Sequence, residues 1–217
     1  MAAGRYIERP TLHPRGFLPD ARLPYDLRVT EVRAAMDDFY DFLYNINTFL
    51  VSRGYDRLEE MLSGATYSGL VSELVVQSMS KQSASLIANP WHNGRPDLVP
   101  RGLYGDKGVL RGEEGVEVKA SRYKSGWQGH NLETGWLMIF QYNIDLLTTP
   151  IEDREPTTFD RVLCARLEES DWSFSGRGET SRRTITASVR RSGTEKLQAN
   201  PVYLDPAYAQ RLPRRSR

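Results

Sequence analysis

Cysteine is nearly missing from this 217-residue chain: Cys164 stands alone, so an internal disulfide is impossible and a zinc site built on several thiolates is excluded. Its place in the apolar run VLCARL makes it a small buried side chain of a strand rather than a nucleophile. Histidine is almost as scarce. His13, His92 and His130 show none of the HxxxH or HExxH spacing of a zinc protease. Long apolar runs are missing too: the mean hydropathy is −0.54, and no stretch approaches the roughly 20 apolar residues needed to cross a bilayer. The opening MAAGRYIERPTLHPRG has no apolar core of a secretory signal, and with the single cysteine this leads to the expectation of a cytoplasmic protein without a membrane partner. Neither GxxxxGK[ST], GxGxxG nor GxSxG occurs, which removes P-loop ATPases, Rossmann dehydrogenases and the common serine hydrolases.

Net charge is also small, +1, but it is unevenly placed. Residues 177–217 hold ten Arg or Lys against three acids, a net of +7, so the first 176 residues carry −6. Such asymmetry marks either a polyanion-binding face or a solvated basic tail.

Four prolines, Pro10, Pro14, Pro19 and Pro24, interrupt residues 1–25, which therefore read as an irregular arm on the surface or on a partner. From Leu27 to Ser52 the residues Val32, Met36, Phe39, Leu43, Ile46 and Leu50 recur every three or four positions, the stripe of an amphipathic helix that Gly54 stops. Its further aromatics Tyr40, Phe42, Tyr44 and Phe49 widen the apolar face; burial in the chain's own core is the expectation for them, with packing of part of the face on a second subunit as the alternative. A short helix at 56–63 and a third from Thr66 to Ile87 complete a helical portion, 26–89. Beyond it the texture changes to β-branched and aromatic segments between Gly, Pro and Asp clusters, with strands expected at 96–100, 115–121, 135–144, 158–167 and 182–190. The segment 135–144 is apolar nearly throughout, as a central strand covered on both faces would be. The whole reads as one α/β domain over 26–205, sheet-rich from 90, followed by a disordered basic tail at 206–217.

One stretch carries chemistry. Arg95-Pro96-Asp97 is separated by 18 residues from Val116-Glu117-Val118-Lys119. Side chains alternate along a strand, so Glu117 and Lys119 share one face while Val116 and Val118 turn into the core. If the connection returns the chain beside its start, Asp97 comes alongside Glu117. Two converging carboxylates suit Mg²⁺, which keeps several waters and accepts phosphate oxygens in the remaining positions. Lys119 is then placed to orient or deprotonate an attacking water, or to neutralise charge growing at phosphorus.

These residues resemble the PD-(D/E)XK nuclease superfamily, with Pro96-Asp97 as its PD and Glu117-Val118-Lys119 as its (D/E)XK; the resemblance covers about 66–145. It implies a restriction-endonuclease-like mixed β-sheet core flanked by helices, and a Mg²⁺ (or Mn²⁺) cofactor held by Asp97 and Glu117. It also implies a further acid from the preceding helix, where Glu73 stands, as catalytic residue and metal ligand. Polar residues after the lysine help arrange substrate in that superfamily, which points to Gln128, His130 and Gln141. Arg95 and His92 flank the first motif as phosphate contacts or as loop residues facing water. Arg122 and Lys124 lie in the run SRYKSGWQGH, a cation–aromatic–glycine loop that either meets a phosphate backbone or is an ordinary connection. The expectation is a metal-dependent DNA endonuclease of restriction or phage-defence type, working as a homodimer beside partner proteins of a defence system. A repair or RNA nuclease, and a non-cleaving nucleic-acid-binding or assembly subunit, are the rivals.

Overall fold

Residues 5–129, 134–174 and 187–211 are described by the structure, a computed structural model. Helix α1, Val29–Ser52, begins where Glu31 reaches back to the Arg28 backbone N–H, and ends before Gly54. The stripe Val32, Met36, Phe39 and Leu43 is buried, as its spacing predicts. Phe42, Tyr44 and Phe49 are exposed, Phe49 by 54%. They lie off the stripe that α1 turns to the core, which corrects the expectation that this aromatic face is covered throughout. After the single turn α2, Leu58–Met61, Ser63 caps α3, Gly64–Gln82. This third helix is shorter than its apolar pattern suggests. Ser83 Oγ accepts the N–H groups of Ser85 and Leu86, and Arg101 takes the carbonyls of Ser83 and Ala84, so the chain leaves the helix there. Residues 86–88 become a strand instead.

Six strands form the main sheet, in the order β1-β2-β3-β5-β6-β9: β1 Leu86–Ala88, β2 Leu98–Pro100, β3 Val116–Ser121, β5 Gly135–Asn143, β6 Thr158–Leu167 and β9 Pro201–Leu204. Among the described residues of this sheet, β3–β5 is the one parallel strand pair, so the protein is mixed α/β with a mixed sheet. Strand β5 sorts its side chains by parity. Met138, Phe140 and Tyr142 join α1 and α3 in one core, and Leu137 and Ile139 enter a second core on the opposite face. That second core also contains Trp127, Trp172, Val189 and Leu197, supplied by a small sheet, the residue just before its first strand, and a helix. The sheet comprises β4 Gln128–Gly129, β8 Ala187–Val189 and β7 Trp172–Phe174, and the helix is α4, Arg191–Ala199. The 135–144 segment is thus a strand covered on both faces. Cys164 is fully buried in β6, and burial pushes its thiol up to about 12, which fits a packing role. Of the strand expected at 182–190, residues 187–189 are β8, and 182–186 lie outside the described residues.

The arm is part of the domain. Phe17 bridges to Tyr203 of β9 with their rings 4.7 Å apart, and Leu18 N–H donates to the Val202 carbonyl. Arg22 and Asn200 exchange two hydrogen bonds of 2.8 Å. Farther up, Tyr6 lies under Arg57, 4.5 Å from guanidinium carbon to ring centroid. Arg57 is fully buried between Glu60, Glu59 and the carbonyls of Asp145 and Glu155. The expected tail starts as a helix, α5 Pro206–Arg211, because Asp205 receives the N–H groups of Ala207 and Tyr208 and Tyr208 is buried. Residues 175–186 and 212–217, which carry six of the ten basic residues of the expected basic region, lie outside the described residues. Among the described residues no helix is long and apolar enough to cross a membrane.

Candidate active site

Strands β2 and β3 touch at one pair only, Leu98 opposite Val116. The crossing is tight: Gly115 has φ +147°, and a Cβ there would stand 2.2 Å from Pro96 Cγ and 2.3 Å from the Leu98 carbonyl oxygen. Only glycine fits both the backbone angle and the space. One step farther along this antiparallel register, Asp97 faces Glu117. The strands then part, which leaves the outward N–H groups of β3 without a strand partner, and side chains take their place. Asp97 Oδ2 accepts the Val118 N–H at 2.8 Å, and Ser72 Oγ of α3 accepts the Ala120 N–H at 2.9 Å. A buried N–H left unpaired would be costly, so these two acceptors fix Asp97 and α3 against β3.

Val116 and Val118 are buried in the first core, and Glu117 and Lys119 occupy the other face, as alternation along β3 requires. Lys119 Nζ donates to Glu117 Oε1 at 3.1 Å, with the lysine side chain 18% exposed. An acid pair and an ammonium therefore meet where the sheet splits. The electrostatics show the strain of that meeting. Burial and then the Glu117 charge push the Asp97 carboxyl from 3.8 up to about 7, with a smaller push from Glu73; the Val118 N–H and the Lys119 ammonium pull the other way.

Glu73 is brought near without joining the cluster. It follows Ser72 on α3, exposed, and its charge is felt at Asp97. Among the described residues no group of three His, Cys, Asp or Glu side chains forms a metal-holding set. The pair Asp97 and Glu117 nevertheless fits a small hard divalent cation. Two acids near enough for the Glu117 charge to raise the Asp97 carboxyl carry negative charge that a cation would relieve, and Mg²⁺ completes its shell with water and phosphate oxygens.

The residues expected to touch nucleic acid are scattered more widely. Arg95 is half-buried, and its backbone pairs with the Leu110 carbonyl and the Gly112 N–H. His92 is exposed in the same loop. Arg122 is exposed beside a surface depression lined by Asp145, Asp153 and Glu155, acidic company for a phosphate contact. Lys124 Nζ stands 5.8 Å from the centroid of the Tyr208 ring, and Gln128 is exposed on β4 opposite Ser188. His130 lies outside the described residues.

Gln141 is buried, and its amide is engaged inside the protein. Nε2 donates to Asp160 Oδ2 and Tyr208 Oη, and Oε1 accepts from Arg161 Nε at 2.8 Å. A bulge explains the cluster: Gln141 pairs with Arg161 and Tyr142 with Phe159, so Asp160 is the extra residue and both neighbours reach the same amide. Arg161 also donates to the Lys124 carbonyl at 2.7 Å, tying down the loop that leaves Lys119.

Sequence reasoning missed Ser72, Asp160, Arg161 and Tyr208. Ser72 could have been suspected from its place beside Glu73; the other three depend on the bulge and on α5, which no spacing reveals. The chain matches no family model, no curated protein and no solved structure.

Proposed function

We propose that the chain is a metal-dependent nuclease of the restriction-endonuclease-like fold, hydrolysing phosphodiester bonds of DNA at Asp97, Glu117 and Lys119. The observation that carries this reading is the meeting of Asp97 and Glu117 at the split between β2 and β3, with the Lys119 ammonium 3.1 Å from Glu117. A mixed sheet in which the strand bearing Glu117 and Lys119 runs parallel to a buried central strand supports the fold half of the proposal.

Asp97 and Glu117 would hold Mg²⁺ or Mn²⁺, which supplies Lewis acidity toward the phosphoryl oxygen and a water of lowered pKa. The chain's own groups do the positioning. The Val118 N–H orients Asp97, so its carboxylate need not reorganise on binding. Glu117 aims the Lys119 ammonium, which donates to the phosphoryl oxygens as negative charge grows on them during attack by water. The attacking water gives up a proton to solvent, the bond from phosphorus to the leaving oxygen breaks, and that oxygen gains a proton from solvent. Glu73 adds an acid at the rim that helps to gather cations. Two copies acting together would cut both strands, and restriction or phage defence is the setting such a stand-alone nuclease would serve.

Cleavage of supercoiled plasmid by wild type, Asp97→Ala and Lys119→Ala tests the reading, with Mg²⁺ and with chelator. Wild type should cut only with metal, and loss of the ammonium should slow cutting by about 10²–10⁴-fold. Cutting that persists in both variants would remove this site. Absence of cutting by folded wild type that still binds DNA would favour the non-cleaving subunit.

A further inference from the structure

Helix α1 turns a second apolar stripe away from the core. Phe42 is 37% exposed and Phe49 54%, and a spacing of two helical turns puts both rings on one side of the helix. Ser78 Oγ of α3 donates to Asp38 Oδ2, and α3 follows α1 after the single turn α2, so the two helices lie antiparallel. Counted from that bond, Leu74 falls level with Phe42 and Leu70 with Ile46. Ile46, Leu70 and Leu74 are partly buried against the first core. The two exposed rings therefore stand on an apolar strip rather than singly on a polar surface.

The layer is large enough for a stable contact. Two helices of about 36 and 28 Å, each about 10 Å wide, present on the order of 700 Å², against about 800 Å² per partner in a typical specific interface. Charge indicates the kind of occupant. On the outward side of α1, Arg9 takes Asp37 and Asp41, at 3.7 and 2.5 Å, and Arg33 stands 3.8 Å from Asp37. Asp38 and Arg53 remain exposed, with the Arg53 guanidinium 5.5 Å over the Phe49 ring. Along α3 the exposed charges are Glu73 and Lys81, one of each sign, and Asp56 lies past the turn at Gly54. Neither sign prevails, so the face does not suit a polyanion or a polycation.

It does suit its own reverse. Phe42 and Phe49 are equally far from the point between Asn45 and Ile46, and Asp38 and Arg53 stand one turn farther out on either side. A two-fold axis through that point lays α1 antiparallel to a copy of itself. Phe42 then meets the partner's Phe49, Asp38 meets the partner's Arg53, and each contact occurs twice. The side chain nearest the axis has to complement itself, and the exposed Asn45 carries an amide that both donates and accepts. An isologous contact requires this match of a face with its own reverse, and an unrelated partner does not.

We infer that the α1–α3 layer is a homodimer interface, in which α1 crosses the α1 of a second copy antiparallel about a two-fold axis at Asn45. The layer covers the sheet face into which Val116 and Val118 point, opposite the face of Glu117 and Lys119, so pairing leaves both acid–lysine rows open. The inference does not rest on the nuclease reading, because mass and cross-linking test it without cleavage.

Full-length protein is followed by light scattering over a dilution series, with circular dichroism as the check on folding. Wild type should show twice the 24.8 kDa of the chain and dissociate on dilution. Phe42→Ser/Phe49→Ser should stay folded, because both rings are exposed, and weaken the dimer by about thirtyfold or more. Arg53→Asp should weaken it by about tenfold by setting like charges against each other, and Asp38→Arg/Arg53→Asp should restore most of the loss. Asn45→Cys should oxidise to a disulfide-linked dimer, since the two thiols meet at the axis and Cys164 is buried; Leu147→Cys, at a residue 91% exposed elsewhere, should not. Wild type that is monomeric at every concentration would overturn the inference. So would a dimer that the phenylalanine pair leaves intact, or one that Asn45→Cys does not cross-link. The plasmid assay is read separately, so failure here leaves the nuclease reading to its own test.

Discussion

The Asp97 carboxylate accepts the backbone N–H of Val118, 21 residues later, at 2.8 Å. A side chain here completes a ladder that the β2 backbone abandons after Leu98, so one hydrogen bond both closes the sheet and aims an acid at Glu117. In the proposed nuclease, structure and chemistry share that carboxylate, and its replacement should separate them.

Burial and Glu117 hold the folded Asp97 proton up to about 7, against 3.8 in the unfolded chain. Between those values the folded protein binds more protons, so this carboxyl's contribution to stability is full below 3.8 and declines as pH rises through 7. Asp97→Asn keeps an acceptor for Val118 and removes the charge. In chelator at about pH 8 it should melt several degrees above wild type, and toward about pH 4 the two curves should converge. Mg²⁺ should raise the wild-type Tm at the higher pH and leave the variant unmoved. An Asp97→Asn protein less stable than wild type at both pH values would contradict the repulsion.

Gly115→Ala tests the crossing that sets Asp97 opposite Glu117. The added methyl meets Pro96 and the Leu98 carbonyl at a φ that L residues avoid, so β2 has to shift. The expected outcome is a loss of about 1–3 kcal/mol in chemical denaturation, and cleavage slowed by about a hundredfold from misplacement alone. Unchanged cleavage would show that the strand crossing does not position the acid.

Arg57→Met removes a buried cation from Glu59 and Glu60 and from the carbonyls of Tyr6, Asp145 and Glu155, and uncovers the ring of Tyr6. Asn47 and Arg154 remain to bond the two acids, yet the loss should be about 3 kcal/mol, read by denaturant unfolding. Because the site lies on another part of the sheet, metal-dependent cleavage of the folded fraction should be preserved.

The parts legible beforehand are those whose pattern is local. VEVKAS alternates cleanly because β3 has a core on one side and the acid–lysine row on the other. GWLMIFQYN reads as a central strand because two cores lie against it. The unread parts depend on distant partners. LIA is three residues long and continues the apolar texture of α3; only Ser83 and Arg101 decide that the helix stops. The segment RSGTEKLQA offers Leu197 as its one large apolar anchor, so no stripe announces α4, and Pro201 disguises the edge strand β9. Phe42 and Phe49 have the composition of core residues, but they lie off the α1 stripe that enters the core. Within the site, Asp97, Glu117 and Lys119 were legible as a motif, whereas the amide of Gln141 could be seen as occupied only once the bulge at Asp160 was known.

The contacts between the arm and β9 also set an order of events during synthesis. Arg22 exchanges its hydrogen bonds with Asn200, 178 residues later. At a ribosomal pace of 5–20 residues per second, the arm emerges roughly ten to forty seconds before the strand it will cover. During that interval Phe17 has no ring of Tyr203 to meet and the far edge of β6 has no neighbour, so the nascent chain carries an uncovered sheet margin until β9 arrives.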